Sequence, residues 1–387
     1  MIVKDKKKYE NLLLKLLKFD TQNYDDKPSG YTLPLLKYIK NRLEKKGIKC
    51  KLEPYAVKFK NKGKSLKLKN RANLIAFLEK QGKPYLLLQG HVDTVPFNRS
   101  KWKYDPLGEK KGKIIFGRGA VDMKGPVTSL ILAFENLTKR KNLAYSPILL
   151  LTSDEEAHSF AGIKNFLKNN RKKFLFAVSG EPTNFEIINK LYGAMYIIIK
   201  TYGLRKERYK TSVSENAIES MIQILKNIKS YKKRVLKISD RRLGNTIMNI
   251  GRIDGGLKVN QFPEECRLEF AIRNTLPCNK YLSLLKKEVL NKIKVPYEFK
   301  LVFKYDPMIL KLDTELGKRL KYSLKKEGLP IKYGVQKHIT EATILRSAGI
   351  PSIVFGPGDN NLFHKNDEKI AIKDLIKAEK IYTNLFN

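Results

Sequence analysis

The 387-residue chain reads as an α/β protein of two domains, and three observations carry that reading. Strand-length apolar runs alternate with helical periodicity over residues 1–186 and again over 304–387, the order expected of an α/β layer. Several of these runs are apolar on successive residues, which is how strands buried on both faces of a mostly parallel sheet look. Residues 187–303 change character, to long strands and two helices in the order β-α-β-β-α-β of the ferredoxin-like split unit. The expectation is a discontinuous domain, 1–186 with 304–387, whose central mixed, mostly parallel sheet is flanked by helices, and a second domain inserted at 187–303. The length suits two domains, since ordinary ones run about 100 to 200 residues.

Taken in order, the leucines at 12, 13, 16 and 17 recur at helical spacing and predict a first amphipathic helix over 5–18, with a second over 30–47. Strands are expected at Asn73 to Leu78, Pro84 to Gln89, Pro147 to Leu151 and Phe174 to Val178, with a long apolar helix from Met123 to Leu137. The insert contributes IINKLYGAMYIIIKTY, NAIESMIQILKNI, NTIMNIGRI, CRLEFAIR, YLSLLKKEVLNKI and YEFKLVFK. After Asp306 come the helical LGKRLKYSLKKEG, the strand of PSIVFGPG and a last helix from Ala371 to Phe386. No internal repeat or low-complexity linker interrupts the pattern.

An apolar fraction of 42% fits a globular protein, and no run approaches the ~18 uninterrupted apolar residues of a membrane span. Lys15 and Lys18 break the N-terminal leucine run and no small-residue cleavage site follows, so no export signal is read there. Cys50, Cys266 and Cys278 are odd in number and lack metal-type spacing, which points to a reducing compartment, the cytoplasm. The net charge of +40 would attract polyanions. Its lysines are spread through KNKGKSLKLK, NFLKNNRKKF and KSYKKRVLK rather than gathered with aromatics, so compositional bias is the preferred reading and nucleic-acid binding is not expected.

Polar residues with metal-binding chemistry close four of the apolar strands. YLLLQGHVDTVP places His91 and Asp93 after one strand, ILLLTSDEE places Glu155 and Glu156 after another, FLFAVSGEPT places Glu181 after a third, and SIVFGPGDNNLFH places His364 after a fourth. Open α/β sheets bind ligands beyond such strand ends, where loops converge. In His91-Val92-Asp93 the imidazole can face a metal while the carboxylate orients it from behind. Asp122, in GRGAVDMKGPV, lies between a glycine-rich turn and a helix start, where it can reach two cations or simply cap the helix. Three consecutive acids, Asp154 to Glu156, are costly at a buried sheet mouth unless cations or shared protons offset their repulsion. One acid can hold metal while its neighbour takes a proton from an attacking water and passes it to a leaving amine. Two histidines with carboxylates and no cysteine suit zinc, cobalt or manganese, and a bridging aspartate implies two divalent ions, zinc being the leading expectation.

GHVDTVPF, GRGAVDMKG, TSDEE, GEPT and FGPGDNNLFHKNDE, in this order over essentially the whole chain, resemble the successive signatures of the M20 metallopeptidase family, which includes acetylornithine deacetylase, succinyl-diaminopimelate desuccinylase and glutamate carboxypeptidases. The resemblance implies that Asp122 bridges two metals, that His91 and Glu181 complete one site and Glu156 and His364 the other, that Glu155 is the general base, and that Asp93 orients His91. It implies a homodimer formed through the insert, which serves as a lid and dimerisation domain. NQFPEEC and FAIRNTLP are similar to family motifs that make Asn260 and Arg273 substrate-binding candidates, and Gly358 of the FGPG turn joins them. An arginine fork pairs well with an α-carboxylate, although a strand ion pair would also account for Arg273. HITEATIL has the T-E-A pattern of the acetylornithine deacetylase branch, which would set Glu341 against a substrate's side-chain amine or at a helix cap.

One departure stands out. The family usually carries an insert histidine nine residues before an N-A-I triplet, and here that count from Asn216 reaches Glu207. Arg205, Arg208 or Tyr209 could replace it. A missing oxyanion donor typically costs about 10²- to 10³-fold in rate, which implies weak activity or an unusual substrate. The resulting expectation is an N-acyl amino acid deacylase, with N-acetylornithine leading and arginine biosynthesis as its context. A desuccinylase, a dipeptidase or a deacylase acting on an acidic carrier protein are the rivals, and a non-catalytic homologue binding metal or polyanions is the reading from another class.

Overall fold

The computed structural model describes residues 3–23, 31–61, 64–157, 159–203 and 216–387. The chain divides into two compact units, Met1–Asn189 with Leu310–Gly334 and Thr340–Asn387, and Lys190–Ile309 with Val335–Ile339. It leaves the first unit at Asn189 and returns at Leu310, a few residues beyond the 186 and 304 read from composition.

The first unit is built on a nine-stranded mixed sheet. Its centre is parallel: Ser146–Thr152 lies beside Tyr85–His91, then Phe174–Ser179, then Ser352–Val354. These strands are sealed on both faces, with Leu86, Leu87, Leu88, Leu149, Leu150, Ala177 and Val178 inaccessible. Burying a leucine contributes roughly 1.5–3 kcal/mol relative to exposure, so the strand bodies anchor the layer and leave their C-terminal ends able to carry charge. An antiparallel hairpin, Lys49–Asn61 and Lys64–Phe77, adds to the Ser146–Thr152 edge. Sequence reading saw only the last residues of that hairpin, because its outer part is lysine-rich and lacks an apolar period.

Helices cover the sheet. Val3–Leu17, Lys124–Leu137 and Ile372–Asn384 pack on one another, with Phe134, Leu16 and Tyr382 fully buried among them. Gly90 faces this layer, since a Cβ there would meet Met123, Val127 and Leu130. Ala161–Asn169 and Glu341–Ser347, both short, pack together against other strands. A small sheet of Glu109–Lys111, Ile114–Phe116 and Lys369–Ala371 ties the loop after Ser352–Val354 to the turn before Lys124–Leu137.

In the second unit the strands Ile247–Gly255, Glu265–Asn274, Gly193–Tyr202 and Tyr297–Tyr305 form an antiparallel sheet in that spatial order, the second-third-first-fourth arrangement of a split β-α-β fold. Helices Ala217–Val235 and Cys278–Glu288 bury Tyr231, Ile228, Tyr281 and Leu285 against it. Asn216 caps the first helix by accepting from the N–H groups of Ile218 and Glu219 at 2.9 and 3.2 Å. The run IINKLYGAMYIIIKTY is two strands rather than one: Ile187–Leu191 pairs in the nine-stranded sheet and Gly193–Tyr202 in the four-stranded sheet. Gly193 permits the change of partner, because a Cβ there would lie 2.5 Å from the Tyr305 carbonyl oxygen.

Among the described residues no helix is long and apolar enough to cross a membrane, and the three cysteines are free. Gly125, in the first turn of Lys124–Leu137, sets a test of the turn that presents Asp122. A Cβ there would stand 2.0 Å from the Ala120 carbonyl oxygen, a backbone atom that cannot swing aside. Gly125→Ala is expected to destabilise the protein by roughly 2 kcal/mol or more, read as a lowered melting temperature; an unchanged melt would show that the turn yields.

Candidate metal centre

Four loops at the C-terminal ends of the parallel strands and one helix-start turn meet at a single point. His91 is the last residue of Tyr85–His91, Glu155 and Glu156 follow Ser146–Thr152, Glu181 follows Phe174–Ser179, and His364 follows Ser352–Val354. Asp122 enters from the turn before Lys124–Leu137, and its Asp122–Met123 peptide is cis. His91 Nε2 stands 3.1 Å from Asp122 Oδ1 and 3.7 Å from Glu181 Oε1. His364 Nε2 stands 3.3 Å from Asp122 Oδ2 and 3.1 Å from Glu156 Oε2. Asp122 thus turns one oxygen to each histidine.

Two sets of donor atoms result, His91 with Asp122 and Glu181, and Asp122 with Glu156 and His364, each gathered within 4.8 Å. Glu156 Oε1 and Glu181 Oε1 are buried and have no hydrogen-bond partner among the described residues. Orphaned buried carboxylate oxygens are costly, and a pair of divalent cations would complete both. Nitrogen and carboxylate donors without thiolate suit zinc, cobalt or manganese. The residues therefore fit a dinuclear centre.

Electrostatics point the same way. Burial raises the Glu155 carboxyl well above the ordinary range, and the carboxylates of Glu181, Glu156 and Asp122 add to the effect. Burial likewise pushes Glu156 up to about 7, with Asp122 beside it. Burial opposes charge on both histidines, yet the surrounding carboxylates win: the His91 ring is raised well above its ordinary value, chiefly by Glu181, and His364 to about 10 by Asp122 and Glu156. Without cations, protons neutralise this cluster.

Asp93 lies behind His91. Its backbone oxygen is 3.0 Å from His91 Nδ1 and its carboxylate 3.5 Å from the same atom, the second contact a ligating imidazole needs to hold its orientation. Its oxygens also accept from the N–H groups of Glu155 and Glu156 at 3.4 and 3.1 Å. Asn23, which sequence reading missed, donates 3.0 Å bonds to both Asp93 and Asp154. Asp154 is bound in addition by Arg71 and Tyr55, so the first of the three consecutive acids is a structural anchor. Lys124, also missed, is buried, gives its ammonium to the Phe19 carbonyl at 2.8 Å and is pushed down by burial to about 7. No pattern in TQNYDD or DMKG distinguishes these residues from solvated ones.

The remaining candidates separate. Gly358, at φ 102°, leaves little room for a Cβ, which would stand 3.1 Å from Val121, and its carbonyl accepts from the Asn184 N–H at 2.8 Å, which makes it part of the loop framework. Asn260 and Arg273 belong to the second unit; Asn260 is exposed, and Arg273 Nη1 is buried with no hydrogen-bond partner among the described residues. Glu207, Arg205, Arg208 and Tyr209 lie outside the described residues. Glu341, expected against a substrate amine or at a helix cap, begins the helix Glu341–Ser347. It is wholly inaccessible, and its carboxyl accepts from Thr152 Oγ1 at 2.6 Å and from the Gln89 amide.

A parallel sheet whose strand ends deliver such donors around one shared aspartate defines a metal-dependent amidohydrolase. Residues 87–387 match the sequence profile of peptidase family M20/M25/M40, and the chain belongs to that family. It is 29% identical over 324 residues to an acetylornithine deacetylase of Buchnera aphidicola subsp. Acyrthosiphon pisum (strain 5A), covering 79% of this chain and 81% of that one. It is 27% identical over 307 residues to a [LysW]-lysine/[LysW]-ornithine hydrolase of Sulfurisphaera tokodaii, covering 78% and 81%. Its fold is similar to the YXEP protein of Bacillus subtilis, described as a dinuclear metal-binding peptidase of the M20 family, with TM-score 0.66 and 13% identity over 98% of this chain and 97% of that one.

Glu341 offers a test by pH. Burial raises its carboxyl from 4.5 to about 8, above the unfolded value. Its stabilising contribution is therefore complete below about 4.5 and lost as pH rises through about 8. Glu341→Gln is expected to leave the melting temperature nearly unchanged at the acid end of that window and to raise it by several degrees at the alkaline end. Equal effects at both ends would show that the carboxyl does not titrate there.

Proposed function

We propose that this chain is a deacylase that hydrolyses the amide bond of an N-acylated amino acid, with N-acetylornithine as its leading substrate and arginine biosynthesis as its context. The observation that carries the reading is Asp122 between two ligand sets, with Glu155 beside them at 4.0 Å from His91 Nε2. The similarity to an acetylornithine deacetylase over most of both chains supports the substrate class.

In this reading His91, Asp122 and Glu181 hold one divalent ion, and Asp122, Glu156 and His364 the other. When bound, such ions polarise the scissile carbonyl and acidify water. Asp93 keeps the His91 ring turned toward its ion. Glu155, mostly buried and with its proton affinity raised by burial and the neighbouring carboxylates, takes a proton from the attacking water and passes it to the departing amine. Asn260 and Arg273 remain the proposed substrate contacts, Arg273 through a free guanidinium nitrogen that suits an α-carboxylate. The proposed assembly is a homodimer through the second unit.

A carrier-linked substrate is the second reading, favoured by the net charge of +40 and by the similarity to the [LysW]-lysine/[LysW]-ornithine hydrolase. An acidic carrier would be steered to so basic a surface.

Metal-stripped protein, resupplied with zinc or cobalt, is to be assayed on acetyl, succinyl and formyl amino acids and on dipeptides. Metal-dependent release of ornithine from N-acetylornithine is expected to exceed the rest; no turnover of any free substrate would move the reading to a carrier-linked one. Glu155→Gln is expected to lower kcat by about 10²- to 10⁴-fold with metal content unchanged, and full activity in that variant would remove Glu155 from proton transfer. Because His364 is held protonated up to about 10 in the metal-free protein, a cation must displace that proton. Affinity should rise with pH through neutrality, with proton release visible in calorimetry across buffers of different ionisation enthalpy; pH-independent uptake would exclude His364 as a ligand.

A further inference from the structure

Arg118 and Glu368 take no part in the chemistry assigned above, yet both touch it. Glu368 is wholly buried. One carboxylate oxygen accepts from the backbone N–H groups of Val121 at 2.6 Å and Asp122 at 2.8 Å. The other accepts from Arg118 Nη1 at 2.6 Å. Arg118, 4% exposed, donates from Nη2 to the His364 carbonyl at 3.3 Å and lies over the Trp102 ring.

The backbone around the pair is stitched as well. The Gly117 N–H donates to the Glu368 carbonyl at 2.9 Å, and Lys369–Ala371 pairs with Ile114–Phe116 just beyond it. His364 itself holds a left-handed backbone, φ 61°, which a non-glycine residue keeps only where its surroundings impose it. A buried ion pair contributes little to stability compared with apolar residues of similar volume. Its place here, with one partner on the backbone of each of two ligand residues, calls for another explanation.

We propose that Arg118 and Glu368 are positioning residues for the metal site formed by Asp122, Glu156 and His364. Glu368 fixes the backbone at Asp122, Arg118 fixes it at His364, and their ion pair sets one ligand in register with the other. His91 and Glu181 take their places from the strands Tyr85–His91 and Phe174–Ser179 instead, so the pair matters more to one site than to the other. The inference rests on the dinuclear reading of the centre.

Glu368→Gln is the informative variant. It retains an oxygen for the two backbone N–H groups but turns an amide N–H toward Arg118, which unlinks the two ligands while leaving the Asp122 turn supported. Arg118→Met combined with Glu368→Gln removes the stranded guanidinium and separates mispositioning from an unpaired buried charge. Metal-stripped wild type and variants are to be titrated with cobalt(II), followed by calorimetry and visible absorption, with His364→Ala and Glu181→Ala as references for loss of either site.

Both variants are expected to weaken the His364-containing site by about 10- to 100-fold and to shift its cobalt bands, while the His91-containing site keeps its wild-type affinity. Equal weakening of both sites, or wild-type affinity at both, overturns the proposal. Failure of the wild type to take up cobalt overturns the dinuclear reading and this inference together.

Discussion

Asp122 sits between two imidazoles, one oxygen 3.1 Å from His91 and the other 3.3 Å from His364, and much of the first unit can be understood as the means of holding that double contact. His91 ends a strand and His364 lies in a loop far from it in sequence, while the aspartate comes from a turn that belongs to neither. Three independent supports converge on the point: the parallel sheet fixes His91, the helix Lys124–Leu137 fixes Asp122, and the small sheet of Ile114–Phe116 and Lys369–Ala371 brings the His364 loop alongside. Two ions sharing a carboxylate tolerate little variation in the distance between their ligands, so each ligand needs a support of its own.

Around this contact the charge balance is the reverse of the molecule's as a whole. The chain carries 78 lysines and arginines against 38 acids, yet the centre gathers Asp93, Asp122, Asp154, Glu155, Glu156, Glu181 and Glu368 with few cations among them. Arg71 answers Asp154 and Arg118 answers Glu368, while Lys124 spends its ammonium on a backbone carbonyl. The other carboxylates are left to protons, histidines or metal. Surface lysines are too well hydrated and screened to relieve this crowding, so the large net charge and the acidic centre are separate properties. The first bears on encounter with anionic partners and the second on chemistry.

Glu341 and Asp154 show how similar residues divide their work once folded. Asp154 stood out in the sequence as an acid at a strand end and Glu341 as the acid of HITEATIL. Asp154 is consumed by Arg71, Tyr55 and Asn23 and becomes a strut, and Glu341 is enclosed by Thr152 and Gln89 beneath the strands. Glu155 and Glu156, which lie next in the chain to Asp154, reach the centre instead. The left-handed backbone at Asp154, φ 69°, turns the chain so that consecutive side chains take different directions, an event that no spacing rule reports.

By itself the sequence determined the α/β alternation, the parallel strand bodies, the two-helix insert pattern and the residues at each strand end, because apolar periodicity and the junction of a buried run with a charge are local properties of the chain. It did not determine the long lysine-rich hairpin, the split of IINKLYGAMYIIIKTY between two sheets, or the supporting roles of Asn23, Arg118 and Glu368. FHKNDE ends on Glu368 without revealing its partner, since Arg118 stands 250 residues earlier. Such contacts exist only after the sheet has folded and the loops have converged. Whether a buried acid binds a cation, anchors a turn or rests protonated depends on which neighbours then surround it, and only tertiary structure decides that.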